Sequence, residues 1–448
     1  MTTTEQLTAF LIETRATDFD AAVVERAKHL IIDFISGALG GSQSRVGNIL
    51  TEYVTMMKTG TEAGVIGNNL RTTAAYAAYL NGVFNHATEL ESVSKRTSPN
   101  PLAVIATSLA LGEKADLSGS AVLEGVILGF EIQGRIGGVS LKGVSKTGRI
   151  SIFNHLGAAA AASKMLKLNL SQTRNALGIA AFQAGGLITN VGTMAHVLEL
   201  AVSARDGIEA AELAKMGCTS HPDIIETPQG FCDALIGEGG YDLAQMTKDF
   251  GRTFQIVDPG ISIKKYPCCY RSHRALDALF DIMDEQSLAY DDIDRVTVDL
   301  NTYDSYLMKF PEPQTGEEAK FSYPHILAAA ILKGRVWLDA FTDESVFSAE
   351  YLAARRKVEA VVHPEWPVGR ADARNPITVK LKDGRVFSKE YDSPREPDLN
   401  QLLDRYRQSA DGLLTSDETE RSIVLLLDLE RLERIADVLH LVCRGTEK

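Results

Sequence analysis

Cysteine, tryptophan and positive charge are scarce in this sequence. Its 448 residues include five cysteines and two tryptophans, and 46 Lys and Arg stand against 59 Asp and Glu. The cysteines are odd in number and irregularly spaced, which argues against a disulfide framework and indicates a reducing, cytoplasmic location. They are Cys218, Cys232, Cys268, Cys269 and Cys443. The adjacent pair Cys268-Cys269 lacks the two-residue spacer of zinc and redox motifs.

The chain also lacks a basic surplus and long apolar runs. Its net charge of −13, with no run rich in Lys and Arg, argues against nucleic-acid binding. No stretch of about 18 uncharged apolar residues occurs, so we expect no membrane span. Residues 1–5 have neither a basic nor an apolar region, so we expect no signal peptide.

The first 255 residues show apolar positions at helical spacing, which predicts a mostly helical region. We expect Gly37, Gly40 and Gly41 to end the helix that starts near Asp18. Five further glycines predict a glycine-rich loop without a phosphate role, because no strand leads into it. They are Gly134, Gly137, Gly138, Gly143 and Gly148.

The pattern changes after about residue 258. Alternating apolar residues predict strands at 293–300, 376–383 and 384–391, and helical spacing predicts helices at 273–285, 322–333 and 346–354. Residues 399–413 and 417–441 return to helix. The predicted fold is therefore mostly α, with a large all-helical domain built from both chain ends (1–258 and 396–448) and a smaller α+β domain (259–395).

A short basic segment, residues 263–274, is the most unusual stretch of this acidic chain. It reads Ile-Lys-Lys-Tyr-Pro-Cys-Cys-Tyr-Arg-Ser-His-Arg. Tyr266-Pro267 favours an extended entry, and helical spacing follows from Ala275. A loop that leads into a helix N-terminus is a common place for an anion, since free backbone N–H groups point outward. The alternative is a solvated basic turn before an ordinary helix.

Two His–Glu pairs have the i, i+3 spacing that places both side chains on one helix face. The pairs are His86 with Glu89 and His196 with Glu199. An imidazole beside a carboxylate can act as an oriented acid–base pair. Alternatively, the first pair is a surface ion pair and the second a satisfied core histidine. No third ligand with metal-site spacing is recognisable, so the sequence predicts no metal site.

The chain resembles the MmgE/PrpD family over almost its whole length. The marks of this resemblance are Asn81-Gly82 with His86, Gly157–Ser163, Ala176–Ala180, Gly192-Thr193-Met194, Arg205-Asp206-Gly207, Lys264–Cys269 with His273, and Glu318–Ser322. The resemblance implies a helical domain with a smaller α+β lid and a site in the cleft between them. It also implies a homodimer without an organic cofactor, and a reaction that moves a proton beside a carboxylate of a small molecule.

The departures from the family pattern fall at its catalytic positions. The family's His-x-x-Asp-(Phe/Tyr)-Asp-Asp reads His86-Ala-Thr-Glu89-Leu-Glu91-Ser92, and His196 stands where a family lysine is expected. Two family histidines are missing near residues 97–100 and 147–151. Replacing Lys by His lowers the reference pKa by about four units, which suits proton transfer more than charge binding.

The sequence and the resemblance together give a set of candidate site residues. The catalytic candidates are His196, Lys264, His86, Glu89 and Tyr306, and the substrate-binding candidates are Arg271, Lys265, Cys269, Glu199 and Lys320. We expect a lyase, either a dehydratase or a decarboxylase, that acts on a polycarboxylate. An isomerase that uses two acid–base groups on opposite faces of one carbon and a non-catalytic relative with the same fold are the alternatives.

Overall fold

The computed structural model describes residues 1–95, 100–140, 148–367 and 374–444. It is 59% helical and 8% strand, which confirms the predicted mostly α fold. The chain divides into two compact units. Unit 1 comprises Met1–Thr189, Ala195–Ile263 and Asp398–Lys448, so both chain ends build it, and unit 2 comprises Asn190–Met194 and Lys264–Pro397. The domain boundaries predicted from the sequence, at 258/259 and 395/396, stay predictions.

The helices account for most of both units. In chain order they are α1 (Thr3–Glu13), α2 (Ala21–Gly41), α3 (Arg45–Met56), α4 (Ala74–Ala87), α5 (Leu102–Lys114), α6 (Gly119–Gly138), α7 (Ile152–Met165), α8 (Leu170–Gln183), α9 (Met194–Lys215), α10 (His273–Glu285), α11 (Thr302–Leu307), α12 (Gly316–Ala319), α13 (Tyr323–Lys333), α14 (Asp343–Phe347), α15 (Ala349–Arg355), α16 (Leu399–Ala410), α17 (Ser416–Leu427) and α18 (Ala436–Val442). The helix predicted at 417–441 is thus two helices, and the one predicted at 346–354 is divided between α14 and α15 at Ser348, which caps α15.

The strands form three small sheets. In chain order they are β1 (Ala63–Gly64), β2 (Arg71–Thr72), β3 (Val93–Ser94), β4 (Ile261–Ser262), β5 (Ile293–Asn301), β6 (Val358–His363), β7 (Ile377–Leu381) and β8 (Val386–Lys389). In unit 1, β1 pairs with β2 and β3 pairs with β4, both antiparallel. In unit 2 the order is β6-β5-β7-β8, with β6 parallel to β5 and the other neighbours antiparallel.

The expectation that glycines end the second helix is wrong for Gly37 and Gly40, which lie inside α2, and is met only by Gly41, its last residue. The glycines instead permit close packing against α4. A Cβ at Gly41 would lie 1.9 Å from the carbonyl oxygen of Phe84, and one at Gly37 would lie 2.3 Å from Nδ2 of Asn85. Asn85 donates a hydrogen bond from Nδ2 to the carbonyl of Phe34, which ties the two helices together.

The predicted glycine-rich loop is also wrong over its first part. Gly134, Gly137 and Gly138 belong to α6, where small residues admit neighbouring chain segments. A Cβ at Gly134, for example, would lie 2.9 Å from the Cβ of Gln255. Gly143 lies outside the described residues, and Gly148 has the positive φ of +76° that favours glycine.

The alanine-rich helix α7 lies in the core of unit 1. Ala158 to Ala162 are fully buried, and α7 packs along α6. A Cβ at Gly207 of α9 would lie 2.4 Å from the Cβ of Ala158, so glycine is required at this crossing. Asp206 beside it contacts Nε2 of His155 at 3.2 Å and accepts hydrogen bonds from Arg205. Packing and a buried ion pair thus explain the run Arg205-Asp206-Gly207.

Unit 2 packs α10 and α13 with its four-stranded sheet around one apolar core. Helix α10 has the bounds that the sequence predicts, and α13 starts at Tyr323, one residue inside its predicted range. Strand β6 was missed, because none of its residues is fully buried and its parallel partner β5 lies far away in the sequence. Among the described residues, no helix combines the length and the apolar character that a bilayer crossing demands.

We expect His325 to make unit 2 sensitive to acid. Its Nε2 donates to the carbonyl of Ala340 at 2.6 Å, its ring stacks on Tyr351, and burial lowers its pKa to about 4. Below about pH 6.5 this histidine binds a proton in the unfolded chain but stays neutral in the folded one. Stability is therefore lost as the pH falls. At pH 5 this loss amounts to about 2 kcal/mol.

The measurement is urea unfolding of the wild type and of His325→Gln at pH 7.5 and pH 5. Gln keeps an N–H donor but does not titrate. The advantage of the wild type over the variant should shrink by about 2 kcal/mol at the lower pH. An advantage that is the same at both pH values would show that His325 does not titrate differently on folding.

Candidate functional site

The last turn of α4 and the residues after it position the first His–Glu pair. His86 and Glu89 are 2% and 5% exposed, so the pair is buried and its interpretation as a surface ion pair is wrong. Glu89 has a φ of +55°, in the left-handed region where glycine is usual at a helix end. Such a backbone costs a residue other than glycine on the order of 1 kcal/mol. The turn brings Oε1 of Glu89 to 3.6 Å from Nε2 of His86.

The start of α9 supplies the second pair. Nδ1 of His196 lies 3.2 Å from Oε1 of Glu199. Oε2 of Glu199 accepts a hydrogen bond from the backbone N–H of Leu187 at 3.0 Å. Both side chains are partly buried, with 14% and 12% of their surface exposed. The predicted pairing within α9 is therefore present, and its carboxylate is held from a second direction.

The two pairs join into one cluster, which the sequence did not reveal. Nε2 of His196 lies 3.8 Å from Oε1 of Glu89, and the rings of His86 and His196 meet edge to face with centroids 4.8 Å apart. We refer to His86, Glu89, His196 and Glu199 as the histidine–glutamate cluster. One side-chain atom each from His86, Glu89 and His196 lies within 4.8 Å of the others. The structure thus supplies the third ligand that sequence spacing did not identify.

The hydrogen-bond partners of the two Nδ1 atoms fix the tautomers. Nδ1 of His86 lies 3.1 Å from the carbonyl oxygen of Val197, and a carbonyl only accepts. Nδ1 of His196 faces the carboxylate of Glu199, which also accepts when it is ionised. Both Nδ1 atoms therefore carry a hydrogen. In a neutral ring, each Nε2 then presents its lone pair on the side where Glu89 lies.

The electrostatics of the cluster depend on its buried carboxylates. Burial lowers the pKa of His86, but Glu91 and Glu89 outweigh that effect, so its pKa is raised from the ordinary value. Glu91 is itself buried. The imidazole of His86 therefore lies among negative charges rather than in an apolar pocket.

Ser92, which stands where the resemblance implies an acid, is tied to a buried ion pair of unit 1. Its Oγ donates to Oδ2 of Asp33 in α2, and Arg405 of α16 pairs with the other oxygen of that carboxylate. Burial raises the pKa of Asp33, although Arg405 opposes this. Helix α16 thus holds the segment after Glu89 in place, a role that could not be assigned from the sequence alone.

In unit 2 the basic segment leads into α10, as predicted. The alternative of a solvated turn is wrong, because Lys264, His273 and Arg274 are buried. Nε2 of His273 lies 3.2 Å from the carbonyl of Cys268, and Nη1 of Arg274 donates to the carbonyl of Asp392.

The other cations proposed for substrate binding already face carboxylates within unit 2. Arg271 lies 3.2 Å from Oδ1 of Asp304, Lys265 lies 3.7 Å from Oδ1 of Asp277, and Lys320 lies 2.9 Å from Oε2 of Glu317. The predicted anion site is therefore a set of ion pairs in this structure. The backbone N–H of Cys269 donates to the carbonyl of Lys320 at 3.0 Å, which joins two predicted residues.

Tyr306 is placed less favourably than the other candidates. It is 54% exposed on α11, whereas Tyr303, one turn earlier, holds its ring 4.8 Å from the guanidinium of Arg271. Asp304 is fully buried and also accepts from Nδ2 of Asn375. The sequence analysis did not single out Tyr303 or Asp304. Its only candidate in this turn was Tyr306.

The family is visible in sequence comparisons. The family model of the MmgE/PrpD N-terminal domain matches residues 5–244, and that of the MmgE/PrpD C-terminal domain matches residues 266–431. Cis-aconitate decarboxylase of Mus musculus is 27% identical over 431 residues, covering 92% of this chain and 87% of that protein. The Homo sapiens enzyme is 26% identical over 434 residues, covering 92% and 88%. Cis-aconitate decarboxylase-like protein oryM of Aspergillus oryzae is 27% identical over 474 residues, covering 98% and 97%.

We expect Arg405→Met to destabilise the protein by about 3–5 kcal/mol, because it leaves the buried carboxylate of Asp33 without its cation. The double variant Asp33→Asn with Arg405→Met should recover most of that loss, since the charge is removed as well. Chemical unfolding followed by circular dichroism measures both.

Arg407→Met is the matched control on the same helix. Arg407 pairs with Glu420, but both side chains are exposed, and such pairs contribute at most about 1 kcal/mol. Equal losses for the two single variants would contradict the assignment of Asp33 and Arg405 as a buried, positioning pair.

Proposed function

The chain belongs to the MmgE/PrpD family, and from this premise we propose that it is a lyase that removes water or carbon dioxide from a polycarboxylate. The activity named for its relatives makes cis-aconitate the first substrate to test. The identity to them is 26–27%, and the predicted catalytic positions differ from the family pattern, so a different polycarboxylate is within the proposal.

The observation that carries this proposal is the orientation of His196. Its Nδ1 is engaged by Glu199, so Nε2 is the atom that exchanges a proton. The side chain of His196 is partly exposed, whereas that of His86 is buried. We therefore assign His196 as the acid–base residue and Glu199 as its positioning residue. His86 and Glu89 are the neighbouring groups that balance the change of charge on His196.

One proton transfer at Nε2 of His196 serves either reaction. In a dehydration, Nε2 takes the proton from the carbon beside a carboxylate, and the hydroxyl leaves with a proton from an acid. In a decarboxylation, the C–C bond to the departing carboxylate breaks, its electron pair passes to carbon, and protonated Nε2 delivers the proton that carbon needs. General acid–base catalysis of this kind contributes about 10²–10⁴-fold.

The basic segment is our proposal for binding the substrate carboxylates. Lys264 is the first candidate, and Lys265, Arg271, Cys269 and Lys320 are the others. Because Arg271 and Lys320 face Asp304 and Glu317, a substrate carboxylate has to join or replace those partners. Arg has five donors, so Arg271 is better able than Lys320 to hold two carboxylates at once. Tyr306 remains a proposed acid.

The geometry does not favour an isomerase that uses His86 and His196 as opposed bases. Two bases that act on opposite faces of one carbon need about 6 Å between their reacting atoms, since each lies about 3 Å from the carbon. In the cluster one nitrogen of each ring lies within 4.8 Å of the other, with a carboxylate oxygen beside both. An isomerase would therefore require a second base outside the cluster.

The first experiment is a screen of the purified protein in D₂O by mass spectrometry and NMR. The panel is cis-aconitate, citrate, 2-methylcitrate, citramalate and iminodisuccinate. We expect loss of water or carbon dioxide from at least one member. Deuterium uptake at carbon without loss of mass would favour the isomerase, and inactivity on the whole panel would contradict the proposed substrate class.

We expect His196→Gln to lower kcat on the identified substrate by at least about 100-fold, because Gln cannot exchange a proton. Glu199→Gln should lower kcat less, since it removes the charge but keeps an acceptor oxygen. His363→Gln is the control, because His363 also contacts carboxylates but lies on β6 in unit 2. Full activity of a folded His196→Gln would exclude the assigned role.

If the protein turns over no member of the panel, the alternative of a non-catalytic relative is favoured.

We also propose that the chain forms a homodimer and is cytoplasmic. Light scattering of the purified chain tests the homodimer.

A further inference from the structure

We propose that His86, Glu89 and His196 form a binding site for one divalent transition-metal ion of the Zn²⁺ type. The site uses Nε2 of each histidine and Oε1 of Glu89. It stands on the geometry of unit 1 alone and does not depend on the proposed reaction.

All three ligand atoms lie within 4.8 Å of one another, and the two contacts of Glu89 fit a metal ion better than direct hydrogen bonds. Oε1 of Glu89 lies 3.6 Å from Nε2 of His86 and 3.8 Å from Nε2 of His196. A direct N–H···O bond would be about 2.9 Å long. Two ligand atoms of a tetrahedral zinc ion, with bonds of about 2.0–2.1 Å, lie about 3.3–3.4 Å apart. Shifts of a few tenths of an ångström therefore bring both contacts to ligand spacing.

The outer hydrogen bonds hold both rings in the tautomer that a metal ion needs. Metal-binding histidines donate their other ring N–H to a carbonyl or a carboxylate. Here Nδ1 of His86 donates to the carbonyl of Val197, and Nδ1 of His196 donates to Glu199. The two common kinds of supporting group thus stand behind the two proposed ligands, each on the side away from Glu89.

The ligand set and its surroundings select the class of ion. Two imidazoles and one carboxylate suit Zn²⁺ and its neighbours in the first transition row, while Mg²⁺ and Ca²⁺ prefer oxygen ligands only. Three protein ligands leave a fourth position for water or another small ligand. Burial of His86 and Glu89, and the left-handed backbone that places Glu89, distinguish this set from chance clusters on the surface.

The proposed ion and the proposed proton transfer use the same lone pair of His196. They therefore exclude each other, and where the proposed function holds, the ion is an inhibitor. This consequence rests on the proposed function, but the binding site does not, so binding is measured without any substrate.

The test is calorimetric titration of the full-length chain, purified without a histidine tag and stripped with a chelator, with Zn²⁺. Titration with Co²⁺ reports the ligand geometry through its visible absorption. We expect one ion per chain with a dissociation constant of micromolar or below. Each of His196→Gln and Glu89→Gln should weaken binding by at least tenfold, and Glu199→Gln should weaken it by about 10–100-fold.

His363→Gln is the matched control. His363 contacts Asp299 at 2.6 Å and Glu365 at 3.3 Å. The variant therefore removes an imidazole from a group of carboxylates that contains a single histidine. Binding should be unchanged. Circular dichroism checks that every variant is folded, and the conservative Glu199→Gln serves if another variant is not.

Three results would overturn the proposal. The first is no binding at micromolar Zn²⁺, and the second is undiminished binding by folded His196→Gln and Glu89→Gln. The third is a loss in His363→Gln as large as that in the cluster variants. A failed activity screen leaves these outcomes unaffected, so the two proposals fail separately.

Discussion

The close approach of α4 and α9 is the constraint on which the candidate site depends. A Cβ at Gly82 would lie 3.0 Å from the Cβ of Ala201, so a larger residue at either position would push the two helices apart. One turn from Gly82 in α4 is His86, and one turn from Ala201 in α9 is Val197. These two are joined by the hydrogen bond from Nδ1 to the backbone carbonyl. The small side chains therefore set the distance between two histidines that are far apart in the sequence.

This arrangement collects negative charge in the interior of unit 1. Asp33, Glu89 and Glu91 are all buried, and an unpaired buried carboxylate is costly. Arg405 supplies the cation for Asp33, and the histidines stand beside Glu89. Replacing such groups by apolar residues often stabilises a protein, so their presence is weak evidence for stability. Their concentration around Glu89 is instead what the two proposals draw on.

The sequence predicted what local spacing determines. The i, i+3 pairs, the loop into α10 and the mostly helical first half follow from neighbouring residues. The junction of the two pairs does not, because it depends on a helix crossing between positions about 110 residues apart. The packing role of Gly41 was missed for the same reason, since the carbonyl of Phe84 that requires glycine there lies on another helix. The counter-ions of the basic segment, Asp277 and Asp304, could likewise not be identified from the sequence, because their contacts depend on the folded structure.

The replacement of a family lysine by His196 connects the two proposals. A lysine at this position would place a fixed positive charge beside Glu89 and would leave no lone pair at neutral pH. A neutral imidazole whose Nδ1 donates to Glu199 has its lone pair on Nε2. In the first proposal that lone pair takes up a proton, and in the second it binds a metal ion. Either species would place positive charge beside the carboxylate of Glu89, so the two proposals describe competing uses of the same nitrogen.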